Sequence, residues 1–295
     1  MNDLILISVS ALGLASLYFV LASGLSLIFG LMRVLSFAHG CFLTVSAYAA
    51  WVVMQAIGTA STAGLFVGAV AATATGAVIA LITELLVIRP LAGRELEQLL
   101  ATVGISIATV ALLSGIWGSD QHLLEVPEWL RSTTAVLGAE IPNVRLVLIA
   151  AAVLVLIAIE LLLSRTRYGL IIRAGVENRE MVTALGIDVR RSFTLVFTLG
   201  GVLAGLGGAL TAVFYRGVTP YLGDDLLIFA FIVLIVGGLG SIRGAAIAAV
   251  GLAMAQSLTD FYVDMGAGEI VIVALMLLTL LIRPQGILGQ KGRLV

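Results

Sequence analysis

The sequence predicts an all-α, polytopic transmembrane helix bundle of roughly eight to ten spans, some of them short or broken. Three observations carry that expectation. The 295-residue chain is 61% hydrophobic. Only 11% of it is charged, against about 25% in soluble domains. Apolar runs at residues 4–28, 64–88, 146–163 and 193–214 approach or exceed the roughly 20 residues that cross a bilayer.

Taken in order, about nine apolar segments are visible: 4–30, 40–57, 64–88, 99–117, 146–163, 193–214, 226–239, 245–258 and 270–282. The first is a span rather than a cleavable signal. No basic residue precedes Arg33, and the run outlasts a signal core of about 7–15 residues. The segments at 226–239 and 245–258 are too short to cross straight, so they read as tilted, broken or re-entrant. Alternating the nine segments gathers most of the 16 basic residues on one face. Only Arg131, Arg145 and Arg216 fall opposite, among acids that include Asp120, Glu125, Asp224, Asp225 and Glu269. The positive-inside rule then puts the N-terminus outside and the C-terminus in the cytoplasm. Two polar stretches are long, an outer one at about 118–144 and an inner one at about 164–192. Trp117 and Trp129 suit the outer interface. No separate soluble domain is visible, so residues 1–295 read as one transmembrane unit.

Several chemistries find no residues. Cys41 is the only cysteine, so an internal disulfide and a cysteine metal cluster are excluded. Lys291 is the only lysine and belongs to no G-x-x-x-x-G-K-[ST] loop. His39 and His122 fall on opposite faces. No catalytic, cofactor-binding or metal site is predicted, and nothing points to nucleic acid. Glu84 and Glu160 lie near the inner ends of their spans, where Arg89 and Arg165 are the expected partners. With no carboxylate expected deep in a span, ion-coupled transport lacks its usual carrier. The pairs Gly64/Gly68, Gly201/Gly205 and Gly240/Gly244 fit close helix packing.

Three segments carry more than hydropathy. In residues 25–48, Arg33, Ser36 and His39 interrupt two apolar runs, as in a helix broken near the membrane or a plain cytoplasmic turn. In the inner stretch, residues 177–185 read as a short helix, capped by Asn178 and closed by Gly186. Its apolar stripe of Met181, Ala184 and Leu185 would either dock into a partner or lie on lipid headgroups. Residues 237–249 place Ser241 and Arg243 between two short apolar halves, a pattern akin to the first segment.

These three segments, with the terminal stretch Arg283-Pro284-Gln285-Gly286-Ile287-Leu288-Gly289, resemble the membrane subunits of branched-chain amino acid ABC importers, in particular the shorter of the two permease types. The resemblance implies a permease that is not an enzyme, in a bacterial inner membrane. It transports branched-chain amino acids or a related small polar solute such as urea, an amide or an aromatic acid. It implies a coupling helix carrying Glu177, Asn178, Arg179, Glu180, Met181, Ala184, Leu185 and Gly186. It places Ser36, Phe37, Ala38, His39, Gly40, Gly240, Ser241 and Gly244 near the translocation path, with Ser36 where relatives commonly carry Asn. The implied partners are a second permease (identical or homologous), two ATPase subunits that bind ATP and magnesium, a periplasmic solute-binding protein and the bilayer. A stand-alone channel and an ion-coupled carrier are the competing readings.

Overall fold

The computed structural model describes residues 2–32, 36–58, 60–136, 139–167, 169–171, 174, 182 and 189–289. Among them every expected apolar segment is a helix. These are α1 (Asn2–Met32), α2 (Ala38–Ile57), α3 (Thr62–Thr83), α4 (Glu95–Trp117), α6 (Asn143–Arg165), α7 (Val189–Tyr215), α8 (Leu222–Gly237), α9 (Ile242–Tyr262) and α10 (Ala267–Ile282). A one-turn helix, α5 (Glu128–Arg131), lies in the polar stretch after α4. Among the described residues, seven helices are long and apolar enough to cross a membrane. α8 and α10 have only 16 residues each, about 24 Å against a hydrocarbon core of about 30 Å.

One end of the bundle carries the polar stretch 118–142, and we call it the hairpin end. There β2 (Thr133–Val136) pairs with β3 (Ala139–Pro142), and β1 (His122–Leu123) pairs with β4 (Gly217–Val218). Indole N–H groups tie this layer down. Trp129 donates to Thr62 Oγ1 at 3.1 Å and Trp51 to the Leu123 carbonyl at 3.2 Å. The opposite, arginine end gathers Met32, Glu84, Arg89 and Arg190 around one cavity.

The bundle is two inverted copies of a four-helix unit, α1–α4 and α7–α10, with α6 between them. Direction is read from paired contacts. On α1, Tyr18 donates to Gln256 of α9 at 2.9 Å, while Gly30 abuts Gly240 just before α9. So α9 runs against α1. Gly24 of α1 touches Gly200 of α7 while Leu21 touches Gly207, so α7 also runs against α1. On α3, Ala72 and Gly76 meet Gly205, and Ala80 meets Gly201, so α3 runs against α7 and along α1. The packing of α1 on α9 is thus mirrored by that of α7 on α3.

The same turn closes α2 and α8. Gly58 donates its N–H to the Met54 carbonyl, and Gly238 to that of Leu234. The φ of +119° at Gly58 and +103° at Gly238 requires glycine. Ser61 then caps α3 by accepting from the Gly64 N–H, and Ser241 caps α9 by accepting from the Gly244 N–H. Residues 237–249 therefore correspond to residues 57–69, rather than to the break at 25–48. Gly240 and Gly244 serve this turn and cap. They do not form a helix-packing pair, whereas Gly201 and Gly205 do. The terminal stretch after Arg283 also closes a helix end, for the N–H groups of Ile287 and Leu288 satisfy the Val236 and Gly237 carbonyls of α8.

Neither expected local ion pair is present among the described residues. Glu160 on α6 binds Arg243 at the start of α9 through two hydrogen bonds, at 2.5 and 3.0 Å, instead of Arg165. The nearer arginine lies along the same helix, but Arg243 presents its planar fork to both oxygens. Glu84 is buried rather than snorkelled, and Arg89 is exposed. Glu84 opens a π-turn (Glu84–Ile88) that ends α3.

A side chain at Gly76 would place its Cβ 2.9 Å from the Gly205 Cα, backbone that cannot yield. Gly76→Val is expected to destabilise the protein by about 1–3 kcal/mol through overpacking. Gly104→Val on α4, with nothing within 4 Å, is expected to be neutral. Thermal unfolding in detergent compares the two.

Candidate functional site

Two helices begin inside the bundle rather than at its ends. α1 runs on to Met32, yet the first turn of α2 lies about two turns back along it. A Cβ on Gly24 would come 2.7 Å from His39 Cε1 and 3.0 Å from the Gly200 carbonyl oxygen. α2 therefore starts inside the bundle. α8 does so from the opposite end. α7 ends at Tyr215 on the hairpin end, and the chain passes through β4 before α8 starts at Leu222. The two first turns meet: a Cβ on Gly40 would lie 2.9 Å from the Gly223 oxygen. The Gly223 N–H donates to Thr44 Oγ1 at 2.9 Å.

Helix N-termini leave N–H groups unbonded and carry partial positive charge. In hydrocarbon such ends must find partners within the protein. α4 supplies them. Gln98, Thr102 and Ser106 recur every fourth residue and are buried on one face of α4. Ser106 donates to Asp224 Oδ1, in the first turn of α8, at 2.7 Å. Thr102 Oγ1 accepts the Phe37 N–H, just before α2, at 3.3 Å. Gln98 Nε2 donates to the Ile88 carbonyl of the π-turn at 3.1 Å. One polar stripe on α4 thus links both half-helix starts to the arginine end.

Asp224 is a correction to the sequence reading, which set it among acids on the outer face. Its partner Ser106 stands at the midpoint of α4 (Glu95–Trp117), so a half-buried carboxylate does lie at depth. The acid beside it, Asp225, instead lines a cavity of about 560 Å3 at the hairpin end, with Gln121, Tyr215, Thr219 and Glu269.

The named path residues divide. Ser36, Ala38, His39 and Gly40 are buried at the junction, and Phe37 packs on Phe231 with ring centroids 5.1 Å apart. Ser36 Oγ and both His39 ring nitrogens have no hydrogen-bond partner, which costs about 1–3 kcal/mol for a buried polar group. Gly240 and Ser241 lie elsewhere, at the arginine end: Gly240 is exposed and Ser241 caps α9. Gly244 is buried in that same cap. Glu177, Asn178, Arg179, Glu180, Met181, Ala184, Leu185 and Gly186 lie outside the described residues. The sequence reading missed Gln98, Thr102, Ser106 and Thr44. The available signal was a polar residue at every fourth position of an otherwise apolar span.

A shell of apolar helices around a polar junction of broken ones is the build of a multi-pass membrane permease. The comparisons with known proteins agree. The chain belongs to the family described as branched-chain amino acid transport system / permease component, whose profile matches residues 7–280. It is 30% identical to the high-affinity branched-chain amino acid transport system permease protein LivH of Escherichia coli K12, over 94% of this chain and 92% of that one. It is 30% identical to the probable branched-chain amino acid transport permease protein LivH of Methanocaldococcus jannaschii, over 93% and 89% of the two chains. It is 28% identical to the high-affinity permease protein BraD of Pseudomonas aeruginosa, over 96% and 94%. No solved structure matches the chain. It is a transport subunit rather than an enzyme.

Thr44→Val keeps the shape of the side chain but removes the acceptor of the buried Gly223 N–H. It is expected to lower stability by about 1–3 kcal/mol, and Thr44→Ser to restore most of it. Thermal unfolding of the three proteins in one detergent reads the difference.

Proposed function

We propose that this chain is the membrane-spanning permease subunit of an ABC importer for branched-chain amino acids or a related small polar solute. The observation that carries the reading is kinship to branched-chain amino acid permeases along almost the whole chain. The complete importer pairs this permease with an identical or homologous one. Two ATPase subunits bind ATP and magnesium, and a periplasmic binding protein delivers the solute. Residues 1–295 act as a single permease domain in the inner membrane, with the hairpin end outside and the arginine end in the cytoplasm. The basic residues at the arginine end support that orientation.

Transport proceeds by alternating access. The two inverted units rock about the junction where Gly40 meets Gly223. ATPase closure drives them through the inner helix at 177–185, whose Arg179, Glu180 and Leu185 engage the ATPase. ATP shifts the equilibrium only by as much as it stabilises one state over the other. At the junction, Asp224 is suited to the ammonium of an amino acid. Ser36, His39 and the first turn of α2 offer polar partners and partial positive charge to its carboxylate.

Asp224 is also the observation that favours the second reading, an ion-coupled carrier, because a carboxylate at depth can hold a cation. Purification in mild detergent separates the readings. Co-purification of a P-loop ATPase and a second permease in comparable amounts supports the importer. Uptake by vesicles holding this chain alone, driven by an ion gradient, would overturn it. In the assembled importer, alanine at Arg179, Glu180 and Leu185 together is expected to abolish uptake while ATP hydrolysis continues, and unchanged uptake would remove the coupling role. Asp224→Asn is expected to reduce leucine uptake by tenfold or more, about 1.4 kcal/mol, with ATP hydrolysis intact.

A further inference from the structure

The α4 stripe does not stop at the junction. Gln98, at its arginine end, faces a cavity of about 320 Å3 that Met32, Glu84, Arg89, Arg190 and Phe193 also line. That volume is at the small end of ligand pockets, which run to roughly 300–1,000 Å3. Glu84 is the unusual member. It is only 3% exposed, and its Oε2 is buried with no hydrogen-bond partner. A buried carboxylate oxygen left without a donor is strongly destabilising. Glu84 also opens the π-turn, in which the Arg89 N–H reaches back to the Glu84 carbonyl at 2.8 Å. Such turns recur at functional sites inside helices. The turn separates the two side chains: Glu84 points inward and is buried, while Arg89 is exposed at the rim.

We propose that this cavity is an exit subsite for a zwitterionic α-amino acid at the inner mouth of the path. The solute's ammonium pairs with the Glu84 carboxylate at the cavity wall. The solute's carboxylate faces the guanidinium of Arg89, and the apolar side chain lies against Met32 and Phe193. Gln98 joins the subsite to the stripe that leads down from Asp224. The inference rests on the transport reading and deepens it by naming what one end of the path holds.

The test uses the full importer, with its partner subunits, in lipid nanodiscs without nucleotide. The probe is a diazirine analogue of leucine, cross-linked by light and mapped by mass spectrometry. Leucine uptake by the same complex in vesicles is measured beside it. The subsite predicts adducts on Met32, Gln98 or Phe193 that leucine suppresses and 4-methylpentanoate, which lacks the ammonium, does not. Glu84→Gln is expected to reduce those adducts about tenfold or more, the scale of one charge-assisted contact. Glu84→Asp retains part of them, and co-purification of the partners verifies folding of both variants. Leucine uptake with adducts confined to the Asp224 junction, or adducts indifferent to Glu84→Gln, would overturn the subsite and leave the transport reading standing. Absence of both uptake and adducts would overturn the two together.

Discussion

Gly40 of α2 and Gly223 of α8 approach until neither could carry a side chain, and most of the architecture is arranged around that contact. Two helix N-termini are brought together away from the ends of the bundle, where water cannot serve their loose N–H groups. Two threonines answer that need, and a serine steadies the acid beside them. Thr44 takes the Gly223 N–H, Thr102 the Phe37 N–H, and Ser106 holds the Asp224 carboxylate. The glycine-rich seam of α7 follows from the same demand. Only a helix without side chains on one face can lie close enough to α1 and α3 to shut lipid out of the junction.

The inverted repeat explains why the junction has two unlike halves. Each unit contributes one broken helix, entering from its own end of the bundle. The α2 half brings a serine and a histidine without partners, and the α8 half brings the Asp224 carboxylate in its first turn. The two halves have thus acquired opposite chemistry on one backbone plan. A solute with a positive and a negative group is complementary to such a pair.

Hydropathy made the nine long helices among the described residues legible, because the length and composition of an apolar run decide whether it can cross a bilayer. It could not report depth. Asp224 follows a run that ends at Phe214 and precedes one that starts at Leu226, so in sequence it sits in a loop. Only folding shows that this loop dips back to reach Ser106. Ion pairing failed for a related reason. Arg165 is the nearest arginine to Glu160 along the chain, but the helices bring Arg243 closer in space. The likeness between residues 25–48 and 237–249 came from shared glycine and serine content. The true counterpart of 237–249 is the Gly58–Gly64 turn, whose hydrogen bonds match one for one. Gln98, Thr102 and Ser106 were missed because each is an ordinary polar residue on its own, and only their spacing sets them apart.

α6 takes small part in the junction and keeps most of its surface exposed. Its contribution is one of parity. A unit of four crossings returns the chain to the side on which it started, so a second copy joined directly would enter the membrane the same way up. One additional crossing turns that copy over. The opposed half-helices, and with them the meeting of Gly40 and Gly223, exist only because an odd helix stands between two even sets.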